Sequence, residues 1–357
     1  MALEDPTGFV EETLSEIWNR KQIGRIYDAY QHNVQLHTPR GRLYGREEVI
    51  RSVTLRLAAF PNLTCAAEDL ICAGDPRGSL RLAVRWTMFG ENTGHSLYGP
   101  PTGRAVTFRG MSHFRVRDGR VVEQWDVDNE LSVIRQLGLE PTELAAHLTS
   151  ETSVGDRAWS EGERVSGQRT PEVIAPKASE GFEVEDFLRR SRHQIWNWRL
   201  LGTIDEIYDE DAGFHGPADR AIEDREAFKA SILALLAAFP DLEMLVDDVL
   251  WSHEGEGTYR TSTRWTLLGT HRGPGPYGPP SGKSVRVSGI TNDVIRERQI
   301  IEAWSEFGEF ALLRQIQTPL RGSEEGAEDV DVRERAVGTK EDGETTEDDR
   351  GNRSGSH

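Results

Sequence analysis

The 357-residue chain has little cysteine and no excess of basic residues. Its two cysteines, Cys65 and Cys72, lie in one predicted strand, where about 23 Å would separate them and no disulfide can join them. We therefore expect two small, buried, apolar side chains. The formal net charge of −18 argues against nucleic acids and anionic membranes as partners, because both require a basic protein surface.

Several further signals are missing from the sequence. The chain does not open with a basic segment followed by an apolar run, and no stretch approaches the ~18 apolar residues of a membrane helix. We therefore expect a cytoplasmic protein. The sequence also has no phosphate-binding glycine loop followed by a helix, no His/Cys spacing that suits zinc and no Gly-x-Ser-x-Gly elbow. Accordingly, we predict neither a cofactor nor a metal site.

What the sequence does contain is a long internal duplication. The recurring segments are Ile17-Trp18-Asn19 and Ile195-Trp196-Asn197, Ala58-Ala59-Phe60-Pro61 and Ala237-Ala238-Phe239-Pro240, Arg85-Trp86-Thr87 and Arg264-Trp265-Thr266, and Tyr98-Gly99-Pro100-Pro101 and Tyr277-Gly278-Pro279-Pro280. The offset between the copies is 178 positions early in the domain and 179 later. This period exceeds the ~20–50 residues of solenoid repeats, so we predict two copies of one globular domain.

We divide the chain into four parts. The first domain, called repeat 1, spans residues 6–139, and the second, called repeat 2, spans residues 182–317. Residues 140–181 are rich in Glu, Ser, Thr and Gly, which predicts a flexible linker. Residues 318–357 are acidic and have hardly any large apolar side chains, which predicts a disordered tail.

Within each copy, helical periodicity comes first and strand patterns follow. In repeat 1 we predict three helices, the third of which follows Gly45 and is stopped by Pro61. The predicted strands are Leu63–Cys72, Ser79–Phe89, Ala105–Val116 and Arg120–Asn129. Asp118-Gly119 between two apolar runs predicts a hairpin. Helices followed by an antiparallel sheet indicate an α+β domain.

Several of these motifs resemble a known family. They include Phe114–Arg120 and Ile134–Gly138 in repeat 1, and Ala238–Leu242 and Gly269–Gly273 in repeat 2. With the Arg-Trp-Thr strands, they resemble the SnoaL-like polyketide cyclases, also called ester cyclases, of the nuclear transport factor 2-like superfamily. The resemblance implies two tandem cone-shaped domains, each with three helices wrapped by a curved antiparallel sheet around an apolar pocket.

Members of that superfamily often dimerise sheet to sheet. The resemblance therefore implies that the two domains pair within one chain as an internal pseudo-dimer, and that the protein is a monomer in solution.

One family feature is altered. In polyketide cyclases of this family, an Asp four residues after the strand Trp is the acid/base. Four residues after Trp125 stands Asn129, and the corresponding residue of repeat 2 is Gly308; neither can transfer that proton. Asp128 stands one residue earlier, on the opposite face of a regular strand, so it would need a bulge to take over the role. In repeat 2 the residue at that position is Phe307.

The remaining polar and aromatic residues give the candidate site. For proton transfer and orientation in repeat 1 we select His37, His113, Asp128 and Asn129. The predicted substrate-binding residues are Tyr98, Glu123, Trp125, His215, His271, Tyr277 and Trp304. Alternatives stay open for three of them: His37 either works at the pocket mouth or closes a helix–sheet junction, His113 faces either cavity or solvent, and Trp125 lines either a pocket or an ordinary core.

Two hypotheses follow for the function. The first is a cofactor-independent lyase, isomerase, cyclase or hydrolase that acts on a small organic molecule by acid/base chemistry in an apolar pocket, mainly in repeat 1. The second is a non-catalytic small-molecule-binding or scaffolding protein with a degenerate cyclase site. Loss of the family's acid/base position in both copies favours the second hypothesis, whereas the several histidines favour the first.

Overall fold

The computed structural model describes residues 5–75, 78–151 and 181–317, and in these ranges the two copies share one succession of elements. Repeat 1 comprises α1 (Pro6–Leu14), α2 (Ile26–Ala29), β1 (Tyr30–Thr38), β2 (Gly41–Tyr44), α3 (Arg46–Ala59), β3 (Thr64–Gly74), β4 (Ser79–Glu91), β5 (Ala105–Arg117), β6 (Arg120–Asp128) and α4 (Glu130–Gln136). After α5 (Pro141–Glu151), repeat 2 comprises α6 (Val184–Arg192), α7 (Thr203–Ile207), β7 (Tyr208–His215), β8 (Ala221–Ile222), α8 (Arg225–Ala238), β9 (Glu243–Gly255), β10 (Thr258–Thr270), β11 (Ser284–Arg296), β12 (Gln299–Phe307) and α9 (Glu309–Gln317). The prediction of two repeated α+β domains is confirmed.

Local sequence signals set several helix ends. The Asp5 carboxylate accepts a hydrogen bond from the Gly8 amide (2.9 Å) at the start of α1, and Asp224 accepts one from the Ala227 amide (2.8 Å) at the start of α8. Such side-chain caps satisfy amides that have no partner inside the helix. At its other end α3 stops just before Pro61, as predicted, because proline cannot donate the next helical hydrogen bond.

Each repeat contains one six-stranded sheet, with strand orders β2-β1-β6-β5-β4-β3 and β8-β7-β12-β11-β10-β9. The neighbours are antiparallel except for one parallel pair in each sheet, β1 with β6 and β7 with β12. The expectation of an antiparallel sheet is therefore corrected for this one pair of strands in each sheet. Four strands and helix α3 lie between β1 and β6 along the chain. A connection of that length permits the two strands to pair in parallel.

Side chains along each strand alternate between the two faces of its sheet. We call the face covered by the repeat's own helices the inner face; on β4 of repeat 1 it carries Leu82, Val84 and Trp86, which share a core with Val49 and Val53 of α3. The opposite, outer face of the sheet carries the residues between them. Both faces of β4 are largely buried along most of its length, so burial alone does not distinguish them.

The outer faces of the two sheets contact each other. Ile71 and Ala83 of repeat 1 cluster with Leu250 of repeat 2. Arg81 forms an ion pair with Asp248 across the same contact at 2.6 Å. The contact thus combines apolar packing with an ion pair.

The predicted linker is helical where the structure describes its first residues. In α5, Leu144, Ala145 and Leu148 form one apolar face that packs on the core of repeat 2. Pro141 begins the helix, a position that proline favours because its missing amide hydrogen is not required there. The apolar pattern covers only two turns, which is too short a signal for the sequence to distinguish from a linker. Predicted linker residues 152–180 and the predicted tail, 318–357, lie outside the described residues.

Among the helices of the described ranges, none combines the length and the apolar character needed to cross a membrane.

Candidate active site

Three of the predicted site residues lie together on the outer face of repeat 1. His37 stands opposite Trp125 in the parallel pair β1/β6, and their rings stack with centroids 5.0 Å apart and planes 7° from parallel. The His37 Nε2 atom lies 3.0 Å from Glu123 Oε1. Trp125, expected to line either a pocket or an ordinary core, therefore faces repeat 2 and not the inside of the cone.

Repeat 2 reproduces this arrangement. His215 stacks on Trp304 at 4.8 Å and contacts Glu302 at 3.0 Å. Each tryptophan also receives an arginine from the other repeat: the Arg264 guanidinium lies 4.4 Å from the Trp125 ring centroid, and that of Arg85 lies 4.1 Å from the centroid of Trp304. A cation over an aromatic ring typically contributes about 0.5–2 kcal/mol. These recurring residues therefore hold the two repeats together.

His113 is also part of this contact. The side chain leaves the outer face of β5 and is 2% exposed, and its Nε2 atom lies 2.8 Å from Ser262 Oγ of repeat 2. Burial, with the nearby Arg264 and Arg81 guanidinium groups, lowers the pKa of His113 to about 3. The imidazole is therefore neutral at ordinary pH and lies outside the cone. His113 faces neither cavity nor solvent, the two alternatives expected from the sequence.

This burial predicts an acid-sensitive contact. The unfolded chain binds a proton at His113 below pH 6.5, whereas the folded chain does so only near pH 3, so stability is lost as the pH falls between these values. At pH 5 the loss amounts to about 2 kcal/mol. The measurement is the free energy of unfolding in urea at pH 7 and at pH 5. The variant His113→Asn copies Asn292 at the corresponding position of repeat 2, and it should lose less stability than the wild type between these two pH values. Equal pH dependence of the two proteins would contradict the assignment.

Asn129 and Asp128 point in opposite directions. Asn129, which precedes α4, accepts a hydrogen bond from the Arg109 amide (2.9 Å) and donates one to Asp219 of repeat 2 (2.9 Å). Asp128 lies on the inner face, where its carboxylate receives a hydrogen bond from Arg56 Nη2 at 2.8 Å. No bulge is needed to bring Asp128 inside, because the register shift of β6 lies near its start. The inner face is simply the one opposite Trp125.

Around Asp128 the inner face of repeat 1 holds a cluster of charged and polar groups. Glu130 contacts Arg40 and accepts a hydrogen bond from the Tyr98 hydroxyl at 2.9 Å. Arg40 also donates to the Tyr98 hydroxyl at 3.0 Å. Tyr98, predicted to lie at the pocket rim, is thus linked to the start of α4. We call Arg40, Arg56, Tyr98, Asp126, Asp128 and Glu130 the inner cluster.

Asp126 extends the cluster along β6. Its carboxylate accepts hydrogen bonds from Ser112 Oγ (2.6 Å) and from Gln124 Nε2 (2.7 and 2.9 Å). The Trp86 indole N–H donates to the same Ser112 oxygen at 2.9 Å, and the Tyr30 hydroxyl donates to Gln124 at 2.9 Å. Asp126 is therefore held by neutral donors, whereas Asp128 is held by a guanidinium.

Burial affects both acids in the same way. Desolvation raises the pKa of Asp128, and the Arg56 guanidinium opposes that rise only in part. The pKa of Asp126 is raised by burial as well, against the hydrogen bonds from Ser112 and Gln124. Two carboxyl groups on one strand face that bind protons more tightly than usual can exchange protons with a bound molecule.

Repeat 2 lacks this arrangement. Leu235, Ser305 and Phe307 stand at the positions that correspond to Arg56, Asp126 and Asp128. The Phe307 ring packs on Trp265 with centroids 6.1 Å apart. The Arg–Tyr–Glu trio is kept, however: Tyr277 donates to Glu309 at 2.9 Å, and Arg220 contacts the same carboxylate.

His271 lies in the turn of repeat 2 and packs on Phe239, whose ring also contacts Tyr277 of that trio. It is fully buried beside Phe239, and its Nδ1 atom lies 3.1 Å from Ser281 Oγ. The ring packs the turn against the end of α8.

The sequence reasoning missed four members of the inner cluster, Arg40, Arg56, Asp126 and Glu130. A signal for Asp126 was available, because it stands two residues before Asp128 and so shares its strand face. In the described ranges, no group of three or more His, Cys, Asp or Glu side chains is arranged to hold a metal ion.

The match to a protein family agrees with the duplication. The family model for the SnoaL-like polyketide cyclase matches residues 9–137 and again residues 187–316. Similar solved structures include AclR, a putative hydroxylase from Streptomyces galilaeus, at 25% identity over 36% of this chain and 91% of its own, with a TM-score of 0.32. IdmH, a putative polyketide cyclase from Streptomyces antibioticus, matches at 25% identity over 38% of this chain and all of its own, with a TM-score of 0.33. Among curated proteins none matches the chain.

Proposed function

The chain belongs to the SnoaL-like polyketide cyclase family, and we propose that it is a cofactor-independent enzyme that moves a proton on a small organic molecule inside repeat 1. The observation that supports this proposal is the pair of carboxyl groups, Asp126 and Asp128, beside Arg56 on the inner face of repeat 1, in contrast with Ser305, Phe307 and Leu235 in repeat 2. We assign the acid/base role to Asp128.

The chemistry follows from the Arg56–Asp128 contact. The Asp128 carboxylate removes a proton from a carbon next to a carbonyl group. The electron pair of that C–H bond forms a C=C bond to the carbonyl carbon, and the π pair of the carbonyl moves to its oxygen, which gives an enolate. Once protonated, Asp128 no longer balances the Arg56 guanidinium, which then becomes available to stabilise the enolate oxygen. Return of the proton from Asp128 to the product completes the cycle. A carboxyl group with a raised pKa suits both directions of this transfer.

We assign repeat 2 a supporting role and propose that the two repeats, bounded at residues 6–139 and 182–317, form an internal pseudo-dimer in a monomeric protein. The support is the contact between the outer faces, with a His–Trp–Arg stack on each side. Light scattering on the full chain should give the mass of one chain, and a stable dimer would contradict this proposal.

The catalytic proposal is tested without knowledge of the natural substrate. In D₂O, the full chain should accelerate exchange of the hydrogens next to the carbonyl of small ketones and 1,3-dicarbonyl compounds, measured by proton NMR against buffer alone. Exchange reports removal and return of a proton at carbon, whatever product the natural reaction forms. The variant Asp128→Asn should lose that acceleration.

A non-catalytic binding protein is the second candidate. It is favoured by the pairing of Asp128 with Arg56 and of Glu130 with Arg40, because paired charges are also typical of a site that only holds its ligand. The ketone probes could shift the NMR signal of the Trp86 indole N–H while their own hydrogens exchange no faster than in buffer. That result would support the binding function and not the catalytic one.

A further inference from the structure

The loop between β7 and β8 is where the two copies differ in length. His37 and His215 are related by the offset of 178, whereas Arg46 and Arg225 are related by 179. Since His37 pairs with Arg42 and His215 pairs with Ala221, the extra residue of repeat 2 lies in Gly216–Arg220. Within this loop, Ala218 and Asp219 are consecutive residues with φ angles of 54° and 59°. Left-handed backbone is unfavourable for residues with a Cβ atom, so tertiary contacts must hold the loop in place.

The contacts of Asp219 supply part of that support and all point to repeat 1. Its carboxylate accepts hydrogen bonds from Asn129 Nδ2 at 2.9 Å, from Arg109 Nη1 and from Ser132 Oγ. With 27% of its side chain exposed, Asp219 is an inter-repeat residue and not a solvated loop acid.

The rest of the loop is anchored within repeat 2. The Ala218 amide donates to Glu306 Oε2 at 3.1 Å, and Arg220 contacts Glu309. The loop therefore connects the acidic end of β12 and α9 in repeat 2 to the end of β6 and the start of α4 in repeat 1.

The residue that Asp219 holds lies between two members of the inner cluster. Asn129 is flanked by Asp128, which faces Arg56, and by Glu130, which faces Arg40 and Tyr98. The Asn129 side chain is fixed on both sides, since it also accepts a hydrogen bond from the Arg109 amide. A shift of Asn129 would therefore move the two neighbouring acids on the inner face.

We infer that Asp219 and Asn129 form a clamp through which repeat 2 positions Asp128 and Glu130 of repeat 1. Asp219 acts through Asn129, so it is a positioning residue. The clamp also explains why an amide stands at position 129. An amide can donate a hydrogen bond to the Asp219 carboxylate, whereas a carboxylate at that position would face Asp219 without a hydrogen to donate. This inference rests on the proposed function only in taking Asp128 as the acid/base.

A double-mutant cycle on the full chain tests the clamp. Asn129→Asp should raise the unfolding equilibrium constant at least about tenfold, the scale of one broken buried hydrogen bond. Asp219→Asn alone keeps an acceptor for Asn129 and should change stability less. In the combined variant the amide introduced at position 219 can donate to the carboxylate introduced at position 129, so most of the lost stability should return. The exposed Asp211 of β7, changed to Asn, is the matched control.

A second readout separates positioning from a merely structural role. Asp128 is surrounded by Arg40, Arg56, Asp126 and Glu130, so its titration, followed by carboxyl ¹³C NMR, depends on where the strand end holds it. The midpoint should move in Asn129→Asp and in Asp219→Ala, return in the combined Asn/Asp exchange, and stay fixed in Asp211→Asn.

Additive stability changes, or an Asp128 midpoint that is the same in all variants, would overturn the clamp. Neither measurement uses turnover. The protein could therefore show no exchange activity and still give strongly non-additive stability changes. That combination would contradict the proposed function and support the clamp.

Discussion

The Asp128→Asn protein is expected to exchange carbon-bound hydrogen at least about 10² times more slowly than the wild type, because removal of one proton-transfer group typically costs ~10²–10⁴ in rate. The amide keeps the size of the side chain and a hydrogen-bond acceptor for Arg56, so the fold should survive. Rates are measured on the same ketone probes under saturating and subsaturating conditions. The loss should appear mainly in kcat, since the group acts in the transition state.

Two other substitutions sharpen this prediction. Ser305→Ala, at the position of repeat 2 that corresponds to Asp126, should leave the rate unchanged. His113→Asn should also retain it at neutral pH, because His113 lies between the sheets and outside the cone. Asp128→Asn could instead keep the full exchange rate while His113→Asn or His215→Asn loses it. That result would contradict the inner cluster as the active site and would assign the reaction to the contact between the repeats.

The Arg192→Leu protein is expected to be less stable by about 3–5 kcal/mol, the usual cost of leaving one charge of a buried pair alone. Arg192 and Asp293 form an ion pair of 2.7 Å in which their side chains are 4% and 0% exposed. Arg192 also donates to the Tyr208 hydroxyl at 2.6 Å. Without the guanidinium, Asp293 must either stay charged in the core of repeat 2 or take up a proton.

Repeat 1 provides the control for this experiment. Leu14 and Phe114 stand there at the positions of Arg192 and Asp293. The double variant Arg192→Leu/Asp293→Phe should therefore recover much of the lost stability, since replacing a whole buried pair by apolar groups is often tolerated. By contrast, Arg51→Leu breaks an exposed pair with Glu48 and should cost about 1 kcal/mol or less. A double variant no more stable than Arg192→Leu would contradict this explanation.

Much of the fold could be predicted from the sequence because local patterns determine it. The duplication, the third helix before Pro61 and four of the six strands of each sheet follow from repeated motifs and side-chain alternation. The parallel pairing of β1 with β6 could not be predicted, since it joins residues that lie far apart in the sequence. Helix α5 was missed because its apolar face belongs to the core of repeat 2, which no local pattern in that segment reveals.

The site was harder to predict for a specific physical reason. Alternation distinguishes the two faces of a strand, but it identifies the inner one only where the other face is solvated. On β6 both faces are covered: Asp126 and Asp128 point toward the repeat's own helices, while Trp125 points toward repeat 2. The sequence therefore separated the two sets of residues without indicating which set lines the cone.

Comparison of the copies carries information that neither copy holds alone. His37, Glu123 and Trp125 recur as His215, Glu302 and Trp304, and in the structure both sets hold the contact between the repeats. Asp126 and Asp128 do not recur. The recurring residues thus hold the two repeats together, which is a role that both copies share. Asp126 and Asp128, by contrast, mark where repeat 1 differs from repeat 2.

The inner cluster can be tested most directly by a pH titration of the Asp128 carboxyl group, followed by site-assigned ¹³C NMR in the full-length protein. Because burial outweighs the Arg56 guanidinium, the midpoint should lie above the 3.8 of an ordinary aspartate. It should fall when Glu130→Gln removes a neighbouring negative charge that also raises the pKa of Asp128. A midpoint at or below 3.8 would mean that Asp128 is an ordinary ion-pair partner of Arg56, and it would contradict the role of repeat 1 as the acid/base domain.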